Sequence, residues 1–387
     1  MRGIAILMVL VFHFWLAAPV GPKLWIDEFV FKATIAGWTG VDLFFVLSGF
    51  LITGILLDAK GAGQSYFRNF YTRRVLRIFP AYYLFLGAVW IALPVIGLIG
   101  YQTRDALWGD GAWYAVYLAN VRIAAEHQSG VEISYVGHLW SLAVEEQFYI
   151  VWPALVLLLD KRSLLAVCVG FIVGAPLIRI VLAQQGVDPT WGYMLTPARM
   201  DALAVGGFIA IAARSSWDLR TWLFWLWPLA AVTVAILIIL AVSREYLSPY
   251  DSWVQGAGLS SVALLFGVFL LAAITAEPGS FAHRALTIGP LRSLGKYSYA
   301  LYLVHLPVAT ILAKHFHVAD EVPSVFGSTL LASFVFALTA GAISLAFAWA
   351  SYHLCEKHFL KLKSAFAYER SGRVEAPLVT AVAAEVS

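Results

Sequence analysis

Ten apolar stretches of membrane-spanning length dominate this sequence, near residues 3–20, 38–57, 80–100, 138–160, 163–183, 197–213, 221–242, 255–276, 297–315 and 326–350. A hydrocarbon core about 30 Å thick takes about 20 residues of helix. Within it every backbone N–H and C=O must find its partner inside the protein, which leaves helices or closed barrels. The chain is therefore expected to be all-α, a polytopic membrane protein of about ten transmembrane helices. Composition agrees: 61% of residues are hydrophobic, 13% are charged and mean hydropathy is +0.80, far from the balance of a soluble domain. The 15 Trp and 17 Tyr suit a chain with many membrane–water interfaces to anchor. The two cysteines, Cys168 and Cys355, offer neither a disulfide framework nor metal-ligand spacing. No metal and no nucleic-acid partner is expected.

Charge distribution sets the expected orientation. Placing the N-terminus inside assigns 18 of the 26 Lys and Arg to the cytoplasm, Arg68, Arg73, Arg74, Arg77, Lys161, Arg162, Lys357 and Lys361 among them, so the positive-inside rule puts both termini there. The first stretch could be mistaken for a signal peptide, but Pro19 directly after Ala17-Ala18 argues against cleavage. The membrane domain is expected over 1–363, followed by a disordered cytoplasmic tail over 364–387. The outward loop 101–137, with Trp108, Trp113, Tyr114 and Tyr117, suits a helix lying on the membrane surface.

Ionisable groups inside apolar runs carry the functional signal, because each is costly there and usually faces a bundle interior or a wet cavity. Arg2 and His13 bracket one segment, Arg2-GIAILMVLVF-His13. Eleven helical steps make about three turns and about 16 Å, so both side chains point the same way, Arg2 at the membrane edge and His13 near mid-depth. Interhelical glue is the competing explanation for a lone histidine. Asp42 lies near the outer end of GVDLFFVLSGFLIT, with Ser48-Gly49 deeper, a pair suggesting close helix packing or a backbone opening near a ligand. In GHLWSLAVEEQFYIVWP, His138, Ser141 and Glu145 share a face, and Glu146 falls on another. Arg199, Asp201 and Arg179 are candidate partners for the buried acids, and His305 sits midway in its span. On the inner side, YFRNFYTRRVLRIFPAYY connects the second and third spans. There Arg73 and Arg77, at i and i+4, present two guanidinium forks together, with Arg74 between them. Ordinary topology or lipid headgroups would explain an isolated basic loop. A polyanionic donor held by these arginines and reaching inward to His13 explains both sets.

The segments RGIAILMVLVFHF, GVDLFFVLSGFLIT, YTRRVLRIFPAYY, HLWSLAVEEQFYIVWP, RMDALAVGG and GKYSYALYLVH resemble, in order, the motifs of the acyltransferase 3 family. These are bacterial membrane O-acyltransferases that decorate surface polysaccharides, lipopolysaccharide, peptidoglycan and some small molecules. The resemblance runs from residue 2 to about 360. It implies a ten-helix domain in the inner (plasma) membrane, a cytosolic acyl-CoA donor (acetyl-CoA foremost), and an acceptor hydroxyl on a cell-surface glycan or lipid-linked glycan reached from outside. The family's arginine-to-histidine motif falls on Arg2 and His13, and its arginine-rich motif on Arg73, Arg74 and Arg77. Relatives usually carry a short leader before the first arginine, and some carry an esterase-like domain after the membrane part. The expectation here is a transfer completed within the membrane domain.

The chemistry suits the constellation. A hydroxyl attacking a thioester needs a positioned base, worth about 10²–10⁴-fold. His13 is the candidate, with Glu145 or Asp42 fixing its tautomer. Direct transfer and a relay through an acyl-histidine both stay open. His138, Arg199, Asp201 and Ser48 are the candidates for holding the acceptor. The rival class is a transporter or flippase whose midplane charges bind cargo or carry protons. A lipid-binding structural protein would leave the Arg2–His13 register unexplained.

Overall fold

The computed structural model describes residues 1–18, 23–60, 65–126, 133–315 and 324–366, and among them the regular elements are all helices. The principal ones are α1 (Arg2–Ala17), α2 (Trp25–Ile35), α3 (Gly40–Ala59), α4 (Ser65–Gly87), α5 (Tyr101–Ala115), α6 (Ala119–Glu126), α7 (Trp140–Leu158), α8 (Lys161–Gln184), α9 (Thr196–Ala212), α10 (Leu219–Ser243), α11 (Leu259–Thr275), α12 (Gly289–His315) and α13 (Leu330–Ser351). The central part of each of the ten expected stretches is helical; residues 19–20 of the first lie outside the described residues, and 96–100 and 326–329 are turn or irregular. Eight helical segments among the described residues are long and apolar enough to cross a membrane. The other two stretches differ: α1 has 16 residues, and α12 has 27 but is diluted by Lys296, Ser298, Tyr299, Tyr302 and His305. Of the tail expected over 364–387, residues 364–366 close a short 3₁₀ turn and the rest lies outside the described residues.

The third span begins earlier than its apolar run suggests. α4 starts at Ser65, so the arginines expected in a connection sit inside the helix. The cause is a stripe at helical spacing, with Tyr66, Asn69, Phe70, Ile78, Ala81, Tyr82 and Phe85 all buried. Tyr66 also donates to Pro153 O of α7 at 3.0 Å. The outer loop does form a helix, α5. It is pinned to α4 and its extension by Tyr82 donating to Tyr114 O (2.8 Å) and Trp90 Nε1 donating to Leu107 O (2.7 Å), while Trp108 is exposed.

Two kinds of contact hold the centre. The first is backbone approach between α3 and α9: a Cβ on Gly49 would lie 1.9 Å from Leu203 O, and one on Gly206 2.0 Å from Val46 O. Lipid offers no hydrophobic drive for helix association, so close packing through small residues supplies it. The second is ion pairing. Arg179 of α8 donates to Asp201 of α9 at 2.8 Å, and Arg199 of α9 to Asp42 of α3 at 2.6 Å, all four side chains at most 3% exposed. Arg179 is further held by Gln255 O (2.6 Å), Ser260 Oγ (2.7 Å) and Ala198 O. Arg199 lies over the rings of Phe45, Trp140 and Tyr193, 5.0–5.7 Å from their centroids.

These contacts make two predictions. Gly206→Leu drives a side chain into backbone, and overpacking costs about 1–3 kcal/mol even where neighbours can yield. The variant should lose its monodisperse folded peak or melt well below the wild type in detergent. Gly170→Leu, which meets nothing within 4 Å, should melt like the wild type. Arg179→Met strands Asp201 in the core and should cost about 3–5 kcal/mol, whereas Arg179→Met with Asp201→Leu should recover much of it. Thermal scans of the purified protein check both, and equal melting of the single and double variants would refute the second.

Candidate active site

A cavity of about 80 Å³ opens between α1, α3, α4, α7 and α12. One end is cationic, with Arg2 from the start of α1 and Arg74 and Arg77 from α4. The last two share a face at i and i+3, and the three guanidiniums lie within one another's electrostatic reach. The opposite wall comes from α7, where Ser141, Glu145 and Tyr149 repeat at i, i+4 and i+8. Ser48 of α3 donates to Glu145 Oε1 at 2.7 Å, and Tyr149 OH reaches both Ser48 Oγ (3.2 Å) and Glu145 Oε2 (3.4 Å). Arg74 sits 5.8 Å over the Tyr149 ring, and its buried Nε has no hydrogen-bond partner among the described residues. A spare buried guanidinium donor beside two other cations suits an anionic ligand such as phosphate.

The far end is closed by hydroxyls. Ser141 Oγ and Tyr302 OH are 2.5 Å apart, and Tyr302 donates to His138 O at 2.8 Å. Behind them stand three imidazoles. His305 of α12 is central, its ring centroid 4.8 Å from His13 and 4.9 Å from His138. His138 belongs to the 3₁₀ turn Gly137–Leu139 that leads into α7, and its Nε2 donates to Leu303 O at 3.1 Å. That carbonyl is available because Pro307, four residues on within α12, has no N–H to give it. His138 Nδ1 is buried without a partner among the described residues. No group of three or more His, Cys, Asp or Glu among the described residues is arranged to hold a metal.

Several expectations need correction. Arg73, at i−4 from Arg77, does not line the cavity; it reaches Phe366 O at 3.4 Å, because the C-terminal segment Lys363–Phe366 packs over that end of α4. The cavity pair is Arg74 and Arg77. Neither Glu145 nor Asp42 bonds His13. Asp42 is turned from α3 towards α9 and bonds Arg199, whereas His13 lies where α1 meets α12, bonded to Val9 O (3.0 Å) and His305 Nε2 (3.2 Å). Glu146, assigned to another face, also lines the cavity, which is wide enough to take both acids. Of the residues expected to hold the acceptor, Ser48 lines the cavity and His138 joins the imidazole cluster. Arg199 and Asp201 are committed to ion pairs. Tyr302 and Tyr149 were missed, though Tyr299, Tyr302 and His305 at i, i+3 and i+6 trace a polar stripe through an apolar helix.

Comparison with known proteins gives the site its chemical setting. The chain is 31% identical over 293 residues to a putative peptidoglycan O-acetyltransferase YrhL of Bacillus subtilis, covering 71% of this chain and 44% of the relative. It is 32% identical over 297 residues to the peptidoglycan O-acetyltransferase OatA of Listeria monocytogenes, covering 71% and 45%. With the O-acetyltransferase OatA of Staphylococcus aureus it shares 26% identity over 315 residues, covering 74% and 48%. The chain thus spans about half the length of the curated relatives it matches. No solved structure matches it. A family model described as an acyltransferase domain matches residues 1–353, spanning α1 with Arg2 and His13, the cavity and all three histidines, so the chain belongs to the acyltransferase 3 family.

Proposed function

We propose that the chain is a membrane O-acyltransferase that moves an acyl group, foremost acetyl, from cytosolic acyl-CoA to a hydroxyl of a cell-envelope glycan. The observation that carries this reading is one cavity with Arg2, Arg74 and Arg77 at one end and the Ser141–Tyr302 pair at the other, with His13 close behind. Arg2, Arg74 and Arg77 bind the donor's phosphates on the cytoplasmic side. The acyl-bearing arm then runs inward, parallel to the eleven helical steps of α1 from Arg2 to His13, about 16 Å. His13 accepts the proton of the attacking hydroxyl. The new C–O bond forms as the C–S bond breaks, and the imidazolium returns that proton to the leaving thiolate, so the base is regenerated. The peptidoglycan named for two of the relatives makes a glycan acceptor at the outer face the natural choice.

In proteoliposomes, release of CoA from acetyl-CoA should depend on added soluble peptidoglycan fragments. His13→Ala should lower it by about 10²–10⁴-fold while donor binding persists. Acetyl-CoA left intact whatever acceptor is added would favour a transport role. The arginines divide by position. Arg74→Ala removes a charged donor from the cavity and should weaken acetyl-CoA binding by about 10- to 100-fold, as expected for a charge-assisted hydrogen bond. Arg73→Ala, outside the cavity, should change it much less. Calorimetric titration in detergent reads the difference, and equal effects at the two positions would contradict the placement.

A further inference from the structure

The polarity of the hydrogen bonds around His13 determines which of its nitrogens is the base. A backbone carbonyl only accepts, and a neutral imidazole has one N–H and one bare nitrogen. His305 Nδ1 lies 2.7 Å from Tyr302 O and 3.2 Å from Leu301 O. It therefore carries the hydrogen, and His305 Nε2 is an acceptor. That lone pair faces His13 Nδ1 at 3.2 Å, and the other neighbour of His13 Nδ1 is Val9 O at 3.0 Å. Both neighbours accept, so His13 Nδ1 is protonated and its Nε2 is bare.

We infer that His305 is a positioning residue which holds His13 in the Nδ1–H tautomer and fixes its ring, leaving Nε2 as the proton-accepting nitrogen. The inference rests on the reading of His13 as the base. The sequence had offered Glu145 or Asp42 for this role, the part a carboxylate plays in a Ser–His–Asp triad. A neutral imidazole does the same without bringing a second charge into the membrane. When His13 Nε2 takes the hydroxyl proton, the Nδ1–H donor becomes cationic and its bond to His305 strengthens. His305 does not carry the proton onward, because its own Nδ1–H is held by carbonyls that cannot accept transfer. The anchoring is built into α12, since the two carbonyls belong to the turn that precedes His305.

The tautomer is read directly from ¹⁵N shifts of histidine-labelled protein in bilayers, with the His13 signals assigned by their loss in His13→Ala. The wild type should show a protonated Nδ1 and a bare Nε2 for His13, and the opposite tautomer would overturn the inference without any change at residue 305. In turnover, His305→Leu fills the space but cannot accept. It should lower kcat by about 10- to 100-fold at unchanged KM, less than the roughly 10⁴-fold of a triad with the wrong tautomer because Val9 O remains. His305→Gln offers an amide oxygen near the position of Nε2 and should restore most of that loss. Equal losses in the two variants would overturn the inference. If His13→Ala is inactive while His305→Leu keeps wild-type kcat, the base stands and the positioning role falls. If His13→Ala itself turns over normally, the reading of the base fails instead.

Discussion

A polar group inside a hydrocarbon layer has no water to fall back on, so its partner must be another part of the protein. That constraint organises this molecule more than any single packing contact. Arg179 satisfies it with four partners from three segments, which ties α8, α9 and the start of α11 into one unit. Arg199 meets it only in part: Nη2 bonds Asp42 and the guanidinium lies over three aromatic rings, which ties α9 to α3 and to the start of α7, while its buried Nε and Nη1 have no hydrogen-bond partner among the described residues. The glycine contacts of Gly49 and Gly206 lie along the same α3–α9 seam as the Arg199–Asp42 pair.

The charges therefore fall into two sets with different physics. Arg179, Arg199, Asp42 and Asp201 form buried ion pairs and do not line the cavity, and their energetic role is local: removing one partner leaves the other stranded. Arg2, Arg74 and Arg77 are instead grouped around an open volume, three cations to the two acids Glu145 and Glu146 that line it with them. Such a group lowers its energy by receiving an anion, which is why depth and sign alone do not distinguish a brace from a binding site. The open volume beside the charges does.

Much of this architecture could be read from the sequence. The spans follow from apolar length, the Arg2–His13 register from helical geometry, and of the two readings of Ser48-Gly49 the packing one fits, since Gly49 lies on Leu203 and the backbone of α3 stays helical, with the Ser48 side chain lining the cavity. What the sequence could not give was partner choice across helices. Asp42 was equally able to face α1 or α9, and only the packing of α3 sends it to Arg199. Arg73 and Arg74 are neighbours in sequence, but the C-terminal segment covers the first and leaves the second to the cavity. The separation of Glu145 from Glu146 assumed a narrow wall, and the cavity spans both. The Leu303 carbonyl that Pro307 leaves open is taken by His138, 165 positions from Leu303 along the chain, and nothing local to either residue foretells that pairing.

In the proposed transfer, the Ser141–Tyr302 contact is the element that separates the donor from the base. It closes the cavity between the arginines and the imidazoles, and Tyr302 touches both neighbours, with its ring 5.2 Å from His138 and 5.5 Å from His305. A closed partition would keep water from the proposed donor thioester, so that hydrolysis does not compete with the proposed transfer. The same partition must part for His13 to meet the substrate. Tyr302 is well placed to couple these states, because its hydroxyl bonds α7 through Ser141 and the carbonyl of His138, while its own carbonyl accepts from His305 Nδ1. A rotation of the Tyr302 side chain breaks the first set and leaves the second intact, since the carbonyl belongs to the backbone of α12. The barrier can thus open without disturbing the hydrogen bond that orients His305, and through it His13.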